Sequence, residues 1–184
     1  MSLVLDGTAG VTFPASQTPS MTAYQGGVLT SGTAVASTSG TSIDFTSIPS
    51  WVKRITVMFN GVSTSGSSAY QIQLGSGSVD ATSYVAIVTS IQSTNASVSG
   101  AATGFYVTTS ANMTAANNVQ GAIILSLLGS NIWVGTGSLA RDGFTTMFYT
   151  AGSKTLSGTL DRVRITTSNG TDTFDAGSIN ILYE

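Results

Sequence analysis

The chemistry open to this chain is what carboxylates, amides, hydroxyls, a few cations and aromatic rings can do. Its 184 residues include no histidine and no cysteine, and only 8% are charged. That removes the usual proton carrier at neutral pH, the thiol nucleophile and the ligands that transition metals prefer. Paired carboxylates are the remaining route to catalysis, as in glycoside hydrolysis. The candidates are Asp80, Asp142, Asp161, Asp172 and Asp175. They sit mostly beside Gly, Ser or Arg in turn-like contexts, and Arg141-Asp142 and Asp161-Arg162 read as local charge pairs. Serine is plentiful, but no histidine exists to activate it. No catalytic residue is assigned, and the chain reads as a non-enzyme.

Asn169, Asp172 and Asp175 offer hard oxygens close together, which a Ca²⁺ ion could use. Their spacing lacks the full EF-hand pattern and its closing Glu, and Asn and Asp are also the common turn formers. The turn reading is preferred, so no metal ligand and no cofactor is assigned. The patterns at Asn95, Asn112 and Asn169 match glycosylation acceptors. The start of the chain does not read as a secretory signal, so glycosylation is not expected.

The aromatic side chains point to binding. Trp133 lies in Ser130-Asn131-Ile132-Trp133-Val134-Gly135-Thr136-Gly137, out of phase with Ile132 and Val134. If those two face a core, Trp133 faces outward beside Asn131, an apolar plate with polar groups at its rim that suits a sugar ring. The other reading, Trp133 facing a second sheet, stands equally open. Tyr84, Tyr106 and Tyr149 could serve a binding face or cover sheet edges. The candidate ligand-binding residues are therefore Trp133, Asn131, Tyr106 and Tyr149. Trp51, after Ile48-Pro49-Ser50, is expected to pack at a strand entrance.

Short strands must position these groups. Ile55, Val57 and Phe59 alternate with Thr56, Met58 and Asn60, and Tyr70, Ile72 and Leu74 alternate with Gln71 and Gln73. Val85, Ile87, Thr89 and Ile91 do the same, as do Phe105 with Val107, Ile132 with Val134, Val163 to Thr167, and Ile179 to Tyr183. Ile123, Leu125 and Leu127 lie in a run that is apolar on both faces. Period two is the strand signal, and Gly75 to Gly77, Ser168 to Gly170 and Ala176-Gly177 mark the breaks. The only helical suggestion is a turn between Asn112 and Gln120. The pattern predicts an all-β, antiparallel, jelly-roll-like sandwich over residues 41–184, its last strand tied into the sheet.

Residues 1–40 read as an extended N-terminal arm for attachment and oligomerisation. Leu3-Val4-Leu5 and Val11-Thr12-Phe13 flank Gly7 to Gly10 like a hairpin, and Pro14 stops the pairing. Residues 17–40 are rich in Ser, Thr, Gly and Ala, and cannot offset their own ordering entropy by burial. The formal net charge is -2 and the cations are scattered, so nucleic acid is not an expected partner. Mean hydropathy is +0.29, yet no stretch approaches the roughly 20 apolar residues of a spanning helix. Membrane insertion is not expected. The apolar content should go into strands and subunit contacts, as in a homotrimer.

Two segments resemble phage tail-fibre proteins. One runs Ser42-Ile43-Asp44-Phe45-Thr46-Ser47-Ile48-Pro49-Ser50-Trp51-Val52-Lys53-Arg54-Ile55-Thr56-Val57-Met58-Phe59, through Asn60-Gly61-Val62-Ser63, to Tyr70-Gln71-Ile72-Gln73-Leu74-Gly75. The other runs Ser157-Gly158-Thr159-Leu160-Asp161-Arg162-Val163-Arg164-Ile165-Thr166-Thr167, then Thr171-Asp172-Thr173-Phe174-Asp175-Ala176-Gly177-Ser178-Ile179-Asn180-Ile181-Leu182-Tyr183-Glu184. Both are similar to the terminal β-domain of many tail-fibre and virion structural proteins. Gly10-Val11-Thr12-Phe13-Pro14 resembles the stretch that often precedes such domains, departing from it at Ala15-Ser16-Gln17. Residues 79–154 carry no matching motif. The resemblance implies a virion protein at the tail or baseplate periphery, usually a homotrimer, attached through its N-terminus and binding host surface glycans through its C-terminal β-domain. The alternatives are a virion structural or capsid-decoration protein that binds no receptor, and a polysaccharide-degrading tailspike-type enzyme.

Overall fold

Alternating side chains become strand here because each short run has one apolar face to bury and turn residues at its ends. The computed structural model describes residues 29–184 except positions 94, 116 and 144. It also describes two short earlier strands, β1 (Val4–Asp6) and β2 (Gly10–Thr12). These two pair antiparallel, with Asp6 opposite Gly10. The turn between them and residues 13–28, with Pro14, Pro19 and Gly26-Gly27, lie outside the described residues.

The remaining strands are, in chain order, β3 (Thr30–Ser31), β4 (Val35–Ala36), β5 (Ser42–Thr46), β6 (Arg54–Thr64), β7 (Tyr70–Ser76), β8 (Ser78–Asp80), β9 (Val85–Gln92) and β10 (Asn95–Ala101). They continue with β11 (Phe105–Tyr106), β12 (Val119–Gly129), β13 (Ile132–Arg141), β14 (Thr146–Thr155), β15 (Arg162–Thr167) and β16 (Phe174–Tyr183). They form two antiparallel sheets packed face to face, an all-β sandwich. The large sheet runs β10-β9-β14-β13-β12-β6-β16-β3, with β4 also on β16, and the small sheet runs β11-β7-β15-β5, with β8 on β7.

Between the sheets lie Ile55, Val57, Ile123, Leu125, Leu139, Phe148 and Ile179 from the large one, and Ile43, Ile72, Leu74, Phe105, Val163 and Ile165 from the small one. Phe105 needs Gly135 opposite it: a Cβ at that glycine would stand 2.9 Å from the Phe105 ring.

The helical turn expected between Asn112 and Gln120 is instead one turn of 3-10 helix at Ser110–Asn112, followed by β12 from Val119. Val119 is fully buried opposite Val62 of β6, so tertiary pairing outweighs a weak local preference. The expected last strand is present as β16. Its end is fixed by Lys53 N–H donating to Glu184 O at 2.7 Å and Glu184 N–H donating to Arg54 O at 3.0 Å.

Residues 30–37, within the segment read as an arm, lie on the sheet. β3 and β4 pair with β16, Gly32 N–H donates to Ile181 O, and the buried Ser37 donates through its hydroxyl to Ala176 O at 2.7 Å. Backbone hydrogen bonds to an open strand edge order this Ser/Thr-rich stretch without much apolar burial. Among the described residues no helix is long and apolar enough to cross a membrane.

Candidate functional site

Trp133 faces the core. It is 2% exposed, with Lys154 and Leu127 as its cross-strand neighbours, while Val134 points to solvent. The phase taken for an outward Trp133 is therefore reversed. Filling the space between two sheets needs the largest side chain of β13 on the inner face, and Ile132 and Val134 are left outside. Its indole Nε1 meets no acceptor among the described residues.

Asn131 forms a tight turn with Ser130, both at positive φ (60° and 49°), which joins β12 to β13. Its carbonyl accepts the Leu156 N–H at 3.0 Å. Tyr106 is half-buried on β11, opposite Gln71 of the small sheet. Tyr84 is buried: its hydroxyl accepts the Leu74 N–H at 2.6 Å and donates to Asp80 O at 2.9 Å, and burial pushes it above its ordinary pKa. Trp51 is half-buried, its ring 5.9 Å from that of Tyr183. The four candidate residues are thus not brought together.

Tyr149 alone keeps the expected character. It lies on the outer face of β14, 48% exposed, and lines an open cavity of about 570 Å³. The cavity sits where the β9–β10 and β13–β14 connections rise at one end of the large sheet. Ile91 and Met147, directly opposite each other, supply the rest of its apolar floor. Gln120, Arg141, Asp142, Thr145 and Ser93 supply the polar wall.

Arg141 and Asp142 do not pair with each other, contrary to the local reading. The Arg141 guanidinium donates to Asn112 O at 2.5 Å and Thr145 Oγ1 at 3.2 Å, and Asp142 accepts from the Asn118 side-chain amide at 3.2 Å. Met147 and Ile91 had a signal in sequence, since Met147, Tyr149 and Ala151 alternate with Phe148, Thr150 and Gly152. The small residues in the run hide it.

The other carboxylates are engaged locally. Asp161 meets Arg162 at 2.7 Å, as its sequence neighbour suggested, and that hydrogen bond lowers its pKa. Asp80 meets the buried Lys154 at 2.6 Å, and the Lys154 side chain holds it below the usual carboxylate range. Asn169 Oδ1 accepts the Thr171 and Asp172 N–H groups, and its amide donates to Asp172 Oδ1 at 2.6 Å, which lowers the Asp172 pKa. Asp175 turns to the Ser63 hydroxyl. The three oxygen-bearing residues thus build turns and sheet contacts, and the described residues hold no metal-competent group of His, Cys, Asp and Glu.

A second cavity of about 320 Å³ lies over the small sheet, lined by Gln71, Gln73, Arg164, Thr166 and Asn169 among others. Its arginine is held by Asp44 in a two-pronged pair at 2.7 and 2.9 Å. Comparison with known proteins finds no match for this chain among family models, curated proteins or solved structures.

Proposed function

We propose that this chain is a phage tail-fibre module that attaches through its N-terminal segment and binds carbohydrate on the host surface in the Tyr149 cavity. The observation that carries this reading is an exposed aromatic ring beside Gln120, Ser93, Thr145, Arg141 and Asp142 around one open hollow, the last two also tied to Asn112, Thr145 and Asn118. A sugar ring needs that combination: its C–H face stacks on the aromatic plate, and its hydroxyls take up the donors and acceptors at the rim. The tail-fibre resemblance of residues 42–75 and 157–184 supports the virion part of the reading.

The test is a glycan array probed with the full chain and with Tyr149→Ala. Tyr149 is exposed, so its removal should weaken binding about 5- to 30-fold, as loss of roughly 1–2 kcal/mol of stacking and burial implies, with little change in melting temperature. Arrays without signal, or unchanged binding by Tyr149→Ala, would refute the site. A second reading, a virion structural or decoration subunit, is favoured by the scarcity of charge on the part of the large sheet from β10 to β12, whose five strands carry only Arg141 and Lys154. Tight binding to tail or capsid proteins with no carbohydrate retained would support it.

A further inference from the structure

Five strands of the large sheet, β10 to β12, expose large aliphatic side chains on the face that should be solvated. In an antiparallel sandwich one side of each strand meets the core and the other carries polar residues. β9 inverts this. Its core side presents Ala86, Val88 and Ser90, while its outer side presents Val85, Ile87 and Ile91, which are 72%, 54% and 50% exposed. The pattern continues across the sheet. Ile87 stands opposite Ala151, Ala151 opposite Thr136, and Thr136 opposite Ile124, in one row across β9, β14, β13 and β12. Val85, Ser153 and Val134 form the next row.

From β10 to β12 no charged side chain lies in the Ile87 or Val85 rows. Arg141 and Lys154 are the only charged residues of those five strands. Lys154 is buried, and the half-buried Arg141 lies at the last position of β13, in the wall of the Tyr149 cavity and away from the Ile87 and Val85 rows.

We infer that a second copy of this chain seats on this outer face, sheet against sheet, centred on the Ile87-Ala151-Thr136-Ile124 row. Area argues for a macromolecular occupant. Five strands at roughly 4.8 Å spacing and about 8 residues of rise span on the order of 500 Å² in projection, and more in accessible surface. That area holds the exposed Val85, Ile87, Ile124 and Val134 together with the hydroxyls of Thr89, Thr136, Ser138 and Ser153, and a standard interface uses about 800 Å² per partner. Charge argues for a copy: rows without charge meet themselves without repulsion and offer a charged partner nothing to pair with. The border agrees. β10, the last strand on this side, has neither charge nor proline, the usual devices that keep a sheet edge from associating. This inference does not rest on the carbohydrate reading: it is centred on the Ile87 row, and the Tyr149 cavity begins in the adjoining row, where Tyr149 stands opposite Thr89, and runs on to Ile91.

The test is light scattering on the full chain at about 100 µM, a concentration that populates even weak dimers. The expected mass is at least twice the 18.7 kDa protomer. Ile87→Lys, and separately Thr136→Lys, should raise the dissociation constant at least about a hundredfold, because each buries an unpaired charge. Both positions face outward, so the cooperative melt should persist. Thr46→Lys, exposed on the small sheet, should leave the mass unchanged. Tyr149→Ala should lose carbohydrate at unchanged mass, which separates the two proposals. A wild-type chain at protomer mass, or lysine variants that keep the assembled mass, would overturn the inference. So would a protomer whose Ile87 and Ile124 resist hydroxyl-radical labelling, since its own residues would then cover the face.

Discussion

At the scale of single residues, Trp133 supplies packing rather than recognition. An indole 2% exposed between two sheets contributes its full apolar area to the core, and nothing nearby can collapse into the space it would leave. Trp133→Ala should therefore cost about 3–5 kcal/mol, which lowers the melting temperature by on the order of 10 °C. A calorimetric scan would check this, and a shift of only a degree or two would return the indole to the surface. Sequence could not settle its orientation. Ile132, Trp133 and Val134 are all apolar, so alternation defines two faces without saying which is inside. Tyr149 was legible as an amphipathic ring, though its strand was not. Its partners Ile91, Met147 and Gln120 come from three different strands, and only the register unites them.

At the scale of elements, the small sheet is pinned to the large one by a buried charge. Lys154 of β14 reaches Asp80 at the end of β8, donates to Thr82 O at 2.6 Å, and lies 5.0 Å from the centre of the Tyr84 ring. The Lys154 hydrogen bond holds Asp80 below its ordinary pKa, and Asp161 and Asp172 are lowered by their own partners. A carboxyl that titrates lower when folded stabilises the fold fully above its unfolded value, near pH 4. That contribution is lost as pH falls through the folded value. Melting temperature should thus be flat between about pH 6 and 8, where no side chain of ordinary pKa titrates, and fall below about pH 4. Asp80→Asn should cost about 3–5 kcal/mol at neutral pH by stranding Lys154, and should flatten the acid limb. An unchanged acid limb in that variant would assign the effect to Asp161 and Asp172.

Strands with strong alternation, such as β6, β7, β15 and β16, were legible from sequence. β10 and β14 were not, because Asn, Ser, Thr, Ala and Gly carry little hydrophobic contrast. β9 was legible as a strand, but its more apolar face turns outward.

At the scale of the whole molecule, the segments with the tail-fibre resemblance form one frame. β6 pairs with β16, and β15 lies between β7 and β5. Residues 79–154, which carry no motif, add β9, β10, β12, β13 and β14 to one side of that frame, and with them the charge-poor face and the Tyr149 cavity. The other side of the frame is closed by residues 30–40. They cover the free edge of β16 through β3 and β4, through Ser37 N–H to Gly177 O at 3.0 Å, and through Gly40 O, which accepts the Phe174 N–H at 2.8 Å. Two truncations should therefore behave differently. Removing residues 1–28 leaves every one of these contacts and should keep the melting temperature within about 2 °C, the effect of less than 1 kcal/mol. Removing residues 1–40 opens the edge of a long central strand whose Ile179 and Ile181 are buried, and forfeits several hydrogen bonds of about 1 kcal/mol each. The shorter chain should melt on the order of 10 °C lower and aggregate through the exposed edge. Equal melting of the two truncations, followed by circular dichroism, would mean that residues 29–40 add nothing to the sandwich and that the independent domain starts at residue 41.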